Sequence, residues 1–513
     1  MPRGSYGRPA SQARPAAPPR GYGKPVAPSG QNQGFSRPIT RPGAIAPRRF
    51  NVNPSMPRPL APARPIVPKM SPDARKVALS VLNRVLIDEG YASLSLDEQF
   101  QQSSLSPRDK RLAAAIVYKT LEDLYKLDYA LKRYLKDAGA LDPKVLNILR
   151  LSACQILLMD KVPDFAAVNE AVDLARSLGR EDMTGLVNGV LRSLIRGMDD
   201  FSWPKPDDPD YLSVTYSIPQ WLIDRIISGY GIEKASDIIA YRSQDHAITL
   251  RRNAVLVSQE AFDALIQKKA WTSERGKLPG VWRVRGVSDL AWDLDFREGR
   301  YSVQGEGSML AALAVSPRVG AQVLDCCAAP GGKTCYLAEM MQNTGRVHAW
   351  DLHEHRVALI QAQADRLRLY NIRPAVRDAA APIERLEGTM DAVLLDAPCS
   401  GSGVMDSKPD IKYRLTPEDL TSLVSLQETL LDTCSQYVKP RGILVYATCS
   451  LLKEENEMQV ARFLTKHPEF EMDELPEGIP EEFHTLAGEH GVQLLPHRDA
   501  TEGFFFARLR RTR

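Results

Sequence analysis

Between residues 71 and 197 the apolar positions recur at helical spacing in one run after another. Ser71-Pro-Asp73 opens the first, since a capping side chain followed by proline suits the free amides of a helix start. Val77, Val81, Leu82 and Val85 then share one face. Ser106-Pro107 opens a second run, and Leu141-Asp142-Pro143 a third that carries Val145, Ile148, Leu149 and Ile156. Val162-Pro163 breaks it ahead of Val168 to Val172, and Leu186 to Leu191 closes the series before Gly197. This pattern predicts an all-helical domain over 71–197. Residues 198–212, dense in Pro and Asp, predict a linker. Over 213–300 the periods mix. Helices at Trp221–Ile227 and Gln259–Lys269, a strand at Ala247–Leu250 and short strands near Val281 and Leu294 predict a small α+β subdomain.

From about residue 301 the pattern becomes strand, loop, helix, repeated. Strands are expected at Val323-Leu324, Arg346–Trp350, Pro374–Val376, Ala392–Leu395, Ile443–Tyr446 and Gly503–Leu509. Helices are expected at Lys333–Met341, Glu354–Leu369, Pro417–Val438 and Lys453–His467. Such alternation predicts a doubly wound, Rossmann-like α/β domain over 301–513.

Composition adds a division of charge. Residues 1–70 hold ten Arg, two Lys, no acid and 16 of the 37 prolines, so the remainder carries −9 of a total of +3. Such a tail buries too little apolar surface to fold and is expected to be disordered. Its Arg-Gly-Tyr-Gly and Arg-Pro pieces suit either a phosphate-attracting, base-stacking arm or a solubilising extension. Seven cysteines without a zinc-like Cys-x-x-Cys pair point to a reducing compartment and no metal. No apolar run has membrane-spanning length and no secretory signal core is present, so a cytoplasmic protein without membrane contact is expected.

The segment Asp325-Cys-Cys-Ala-Ala-Pro-Gly-Gly-Lys-Thr334 lies between the first strand and helix of the α/β pattern. Its small residues let the backbone approach a ligand, but it matches neither the dinucleotide nor the triphosphate loop. Asp351 ends the next strand, where a carboxylate can take a ribose hydroxyl pair, and Asp378 ends the third, where it can take an adenine amino group. Each acid alone would as readily cap a helix. Together with the glycine loop they favour a nucleoside cofactor without phosphates, and S-adenosylmethionine fits.

Two cysteines end later strands: Cys399 in Asp396-Ala-Pro-Cys-Ser-Gly-Ser-Gly403 and Cys449 in Tyr446-Ala-Thr-Cys-Ser450. Both are aimed at the crevice where an open parallel sheet binds ligands. A thiolate adding to C6 of cytosine makes C5 nucleophilic enough to accept a methyl group. Asp396 is a candidate for N3 of that base, and Lys333 for the base or for lowering a thiol pKa. Spacing leaves the two thiols unranked. Cys154 and Cys434 read as buried small hydrophobes, and packing is expected for Cys326, Cys327 and Cys335.

These segments, with Pro-Asp-Ile-Lys (409–412) and Leu495 to Leu509, resemble the RNA cytosine-5 methyltransferases of the Nop2/Sun type over roughly 245–513. Residues 71–197 are similar to the NusB family, through Ala78–Leu86, Leu149–Leu157, Val168–Val172 and Val187–Arg192. The resemblance implies a methyltransferase with a NusB-like RNA-binding domain. It also implies methylation of one cytosine of 16S rRNA, the position usually numbered 967, by a monomer on naked rRNA or an early small-subunit particle. It further implies Cys449 as nucleophile, Cys399 in product release, Asp396 facing the base, and Lys333 as a base contact. The cofactor would lie on Cys327, Ala328, Ala329, Pro330, Gly331, Gly332 and Lys333, with Asp351, Asp378 and Asp396.

Two departures stand out. The family's Val-Gln-Asp-x-Ser-Ala-Gln reads Val303-Gln-Gly-Glu-Gly-Ser-Met309, with Gly305 in place of Asp, and its basic pair and His read Met405-Asp-Ser-Lys408. Other readings are a related enzyme acting on tRNA, a DNA cytosine-5 methyltransferase with a Pro-Cys nucleophile, and a silent RNA-binding assembly factor.

Overall fold

Helix starts in the first half of the chain are written in its capping residues. The computed structural model describes residues 72–243, 247–287 and 290–513; the tail over 1–70 and its expected disorder lie outside them. Seven helices come first: α1 (Pro72–Leu86), α2 (Ala92–Gln102), α3 (Pro107–Glu122), α4 (Leu124–Lys132), α5 (Pro143–Leu158), α6 (Asp164–Ser177) and α7 (Thr184–Arg196). The Ser106 hydroxyl accepts from the Asp109 amide at 3.2 Å to open α3, and Asp142 accepts from Lys144 at 2.9 Å to open α5. Val77, Val81, Leu82, Val145, Ile148, Leu149, Val168 and Leu191 meet in one core, with Cys154 fully buried among them.

Residues 198–212 are more than a spacer. Phe201 and Trp203 pack on Tyr129 of α4, with ring centroids 6.1 and 6.2 Å away. Residues 213–300 do not share one core. Helices α8 (Tyr211–Tyr216), α9 (Gln220–Tyr230) and α10 (Ile232–Ala240) pack with Leu420, Leu451, Leu452 and Leu495 from the α/β region. The antiparallel sheet of β1 (Ile248–Arg252), β2 (Thr272–Arg275), β3 (Val281–Arg285) and β4 (Tyr301–Val303), in the order β2-β3-β1-β4, has its own core with α11 (Gln259–Lys268). The strand expected near Leu294 is a short helix, α12 (Leu294–Arg297), because Asp293 accepts from the Asp295 and Phe296 amides at 3.0 and 3.2 Å.

The α/β region is built on β5 (Gln322–Asp325), β6 (Arg346–Asp351), β7 (Ile372–Val376), β8 (Met390–Asp396), β9 (Val438–Thr448), β10 (Phe470–Met472), β11 (Ala487–Gly488), β12 (Gly491–Leu494) and β13 (Phe504–Arg511). Their order is β11-β12-β13-β9-β8-β5-β6-β7, with β10 paired to β13. Strands β5 to β9 run parallel and β13 runs antiparallel beside β9. One face is covered by α13 (Glu306–Val315), α14 (Gly332–Met340) and α15 (Glu354–Leu367). Leu430, Leu431 and Cys434 of α16 (Pro417–Ser435) and Phe463 of α17 (Glu457–Lys466) cover the other. This is the Rossmann-like architecture expected from the alternation. Helices α15, α16 and α17 are shorter than their apolar patterns, α15 ending at Leu367 instead of Leu369. Val438 leaves the α16 run to pair with Met390, and α17 starts at Glu457 instead of Lys453.

Candidate active site

Because β5 lies between β6 and β8, chain connections leave it in opposite directions and open a crevice at the carboxyl ends of the strands. Asp325, Asp351 and Asp396 are the last residues of β5, β6 and β8, and Cys449 directly follows β9. Cys399 lies three residues beyond β8.

The two thiols meet. Cys399 Sγ and Cys449 Sγ are 3.2 Å apart, both cysteines are free, and the Cys449 amide points to Cys399 Sγ at 3.3 Å. Their surroundings differ. A hydrogen bond from the Cys399 thiol pulls Cys449 below the ordinary thiol value against its burial, and the Lys333 and Lys408 ammonium groups act in the same direction. Cys399 is held well above that value by its bond to Cys449, by burial and by the nearby Glu455 carboxylate. Cys449 is therefore the more acidic thiol of the pair and Cys399 the less acidic one.

Lys333, in the first turn of α14, donates to Asp396 at 2.6 Å and stands 4.8 Å from the Phe504 ring centroid. Burial disfavours its charge, but the Asp396 carboxylate outweighs burial and keeps the ammonium above its ordinary value. The structure thus brings Cys399, Cys449, Lys333 and Asp396 into one cluster.

Glu455 holds this cluster, although nothing in its spacing marked it beforehand. Its wholly buried carboxylate accepts from the Ser400 amide at 2.8 Å, the Ser400 hydroxyl at 2.6 Å and the Gln427 amide at 3.0 Å, and it is bonded to the Ser450 hydroxyl. Ser400 and Ser450 follow the two cysteines, so one carboxylate ties both loops together. Gly403 adds a backbone tie: its amide donates to the Cys449 carbonyl, and its carbonyl accepts from Gly503, each at 2.9 Å.

The loop Cys327, Ala328, Ala329, Pro330, Gly331, Gly332 runs from β5 into α14. Gly331, at φ +107°, brings its backbone against Ile360, where a β-carbon would stand 3.2 Å from Ile360 Cα. Asp351 is buried and accepts from the Ala329 and His353 amides at 3.4 and 3.2 Å. Asp378 is exposed, two residues past β7, and its carboxylate accepts from Ala380 at 2.9 Å. Asp325 ends β5 at the head of this loop. One oxygen accepts from the Thr334 hydroxyl at 2.6 Å, while Oδ1 is buried without a hydrogen-bond partner among the described residues. Burial pushes its carboxyl up to about 7.

A family model described as 16S rRNA methyltransferase RsmB/F matches residues 312–510, and the NusB family model matches 72–196. "Probable ribosomal RNA small subunit methyltransferase B" of Bacillus subtilis is 36% identical, over 85% of this chain and 98% of its own length. The chain belongs to the RsmB/F family of 16S rRNA methyltransferases. Ribosomal RNA small subunit methyltransferase B of Shewanella oneidensis is 31% identical, over 85% of this chain and 98% of its own. A crystal structure of the protein named PH0851 superposes with a TM-score of 0.74 at 27% identity, covering 86% of this chain and 98% of that one. A methyltransferase homologue from Pyrococcus horikoshii gives 0.51 at 28% identity, over 60% of this chain and all of that one.

As a member of the RsmB/F family the chain is an S-adenosylmethionine-dependent rRNA methyltransferase. Its crevice fits that cofactor: a close-approach glycine loop, the unpartnered Asp325 oxygen and carboxylates at three strand ends suit a ribose and a cationic methionine moiety. Among the described residues no group of three or more His, Cys, Asp or Glu could hold a metal ion, and no helix is long and apolar enough to cross a membrane.

Proposed function

We propose that this chain methylates C5 of a cytosine in 16S rRNA, at the position usually numbered 967, through a covalent bond between Cys449 and C6 of the base. The observation that carries the proposal is the 3.2 Å thiol pair in which Cys449 is the acidic member. S-adenosylmethionine supplies a methyl group on a sulfonium. The residues that would hold it are Cys327 to Lys333, Asp351, Asp378 and Asp396.

The Cys449 thiolate gives its electron pair to C6, and the electrons displaced from the C5–C6 bond make C5 the nucleophile. Asp396, held beside the thiols by Lys333, faces the N3 side of the ring, and Lys333 adds a positive charge there. After C5 has been methylated, its proton passes to a base and the S–C6 pair returns to Cys449. Cys399 serves this release: its S–H, 3.2 Å from Cys449 Sγ, hydrogen-bonds the thiolate that departs from C6 and so makes it a better leaving group. The helices over 71–197 and the segment 213–300 would contact the RNA.

The test uses unmodified 16S rRNA and cofactor with Cys449→Ala and Cys399→Ala. Cys449→Ala should form no 5-methylcytosine, and Cys399→Ala should accumulate a protein–RNA adduct stable on a denaturing gel. Full methylation by Cys449→Ala sinks the assignment.

A further inference from the structure

The short helical segment Pro409–Tyr413 leaves the Cys399 loop and enters the helical domain. Its charged side chains meet helix ends of complementary sign. Lys412, 4% exposed, donates to the carbonyl of Glu122 at 2.8 Å, at the last turn of α3 where carbonyls have no partner within the helix. Asp410, also 4% exposed, accepts from the Ala92 amide at 3.4 Å, the first residue of α2, whose N-cap Tyr91 offers no side-chain bond of its own. The Tyr413 hydroxyl donates to the Leu121 carbonyl at 2.7 Å, and its ring meets Tyr125 edge-on at 5.2 Å. Arg414 stacks its guanidinium 3.8 Å from the Tyr91 ring centroid. Burial pushes the Lys412 ammonium down to about 7, a cost that a purely solvated lysine would not carry.

The same segment presses on the thiol loop. Gly401 lies at φ +71°, and a β-carbon there would stand 2.9 Å from Ile411 Cδ1. Two residues on, Gly403 is tied to the Cys449 carbonyl. The chain of contact runs from the ends of α2 and α3, through Asp410 and Lys412, to Ile411, Gly401 and the thiols. A cleft of about 1570 Å³ lined by Tyr118 and Lys119 of α3 and by Asp406, Ser407 and Pro409 lies along this seam.

We propose that Asp410, Lys412 and Tyr413 are positioning residues, through which the helical domain sets the placement of Cys399 against Cys449. The inference rests on the two-thiol reading above for its meaning in catalysis, but its geometry is independent of which thiol attacks.

The test compares full-length Lys412→Met, Lys412→Arg and Tyr413→Phe with the parent chain. Two readouts are taken: steady-state methylation of 16S rRNA, and the pH midpoint of iodoacetamide labelling at Cys449 followed by mass spectrometry. Lys412→Met should lower kcat about ten- to a hundredfold, as expected for a small misplacement of reacting groups. KM for RNA and cofactor Kd should stay as in the parent, and the Cys449 midpoint should rise because its thiol partner is less well placed. Lys412→Arg, which keeps a donor, should restore both. If Lys412→Met does not fold, Tyr413→Phe, which loses a single hydroxyl, is judged by the same criteria. An unchanged kcat and midpoint overturns the proposal, and so does a rise in KM alone, which would make the segment an RNA contact. Methylation by Cys449→Ala in the same assay would sink the nucleophile assignment while leaving a Lys412→Met effect on kcat intact.

Discussion

The carboxylate of Glu502 fills the space that a β-carbon on Gly305 would claim: such a carbon would stand 1.5 Å from Oε1 and 2.2 Å from Cδ. Gly305 is the N-cap of α13 and has no side chain to satisfy the amides behind it. Glu502, 195 residues beyond Gly307, accepts from the Gly307 amide at 3.1 Å in its place. The cap at this helix start is therefore delivered from two residues ahead of β13. Gly305→Asp should destabilise the fold by about 1–3 kcal/mol through overpacking and like charge. Combining it with Glu502→Ala should recover most of that loss, since the local cap then returns. Thermal unfolding of both single variants and of the double variant measures the coupling, and single losses that simply add in the double variant would show that the two sites are independent.

Lys333 bears on Cys449 by charge, and its removal isolates that effect. Lys333→Met should raise the pH midpoint of Cys449 alkylation, because an opposite charge nearby no longer favours the thiolate. Methylation at pH 7 should fall further than the midpoint alone predicts, since Asp396 loses its 2.6 Å partner as well. A labelling profile that superposes on the parent's would show that Lys333 does not set the thiol.

How much of this was legible beforehand follows from what each residue contacts. Ser106, Asp142 and the Thr416–Asp419 capping box act on amides two or three residues away, so their helix starts were readable from local order. The alternation of strands and helices was likewise visible, and with it the crevice where Cys399 and Cys449 meet. The helix α13 was missed because it is apolar all round, with Met309, Leu310, Ala311, Ala312 and Ala314 fully buried, so it has no polar face to reveal a period. Phe201 and Trp203 were read as linker because their partner Tyr129 lies some seventy positions earlier. Glu455 and Asp325 stayed hidden for a related reason: their roles come from burial, which the residue order does not state.

Glu455 is the clearest stability prediction to come from that network. Glu455→Gln removes one acceptor oxygen from a buried carboxylate that binds Ser400, Ser450 and Gln427. It should cost about 1–3 kcal/mol of unfolding free energy, the range for a buried polar group left unsatisfied. Activity should fall more than stability predicts, because the two cysteine loops lose their common tie. Urea titration together with methylation at saturating RNA separates the two effects. Parent-like stability would place the tie elsewhere.

Asp325 gives a pH dependence of defined sign. Burial raises its folded carboxyl from the ordinary 3.8 to about 7, so between those values the folded chain keeps a proton that the unfolded chain has lost. Stability therefore falls as pH rises from about 4 to about 7, and above 7 the full cost is present. The shift corresponds to roughly 4 kcal/mol at most. Asp325→Asn has no proton to lose and should lack this slope, so its advantage over the parent should be largest at pH 8 and vanish near pH 4. The same change removes a carboxylate from the cofactor crevice, so affinity for S-adenosylmethionine should drop while stability at pH 8 improves. Unfolding midpoints at pH 4, 6 and 8, with calorimetric titration of the cofactor at pH 8, test both halves. A variant that loses stability at pH 8 would mean that the carboxylate is matched by groups in the folded crevice and that burial is not the governing cause.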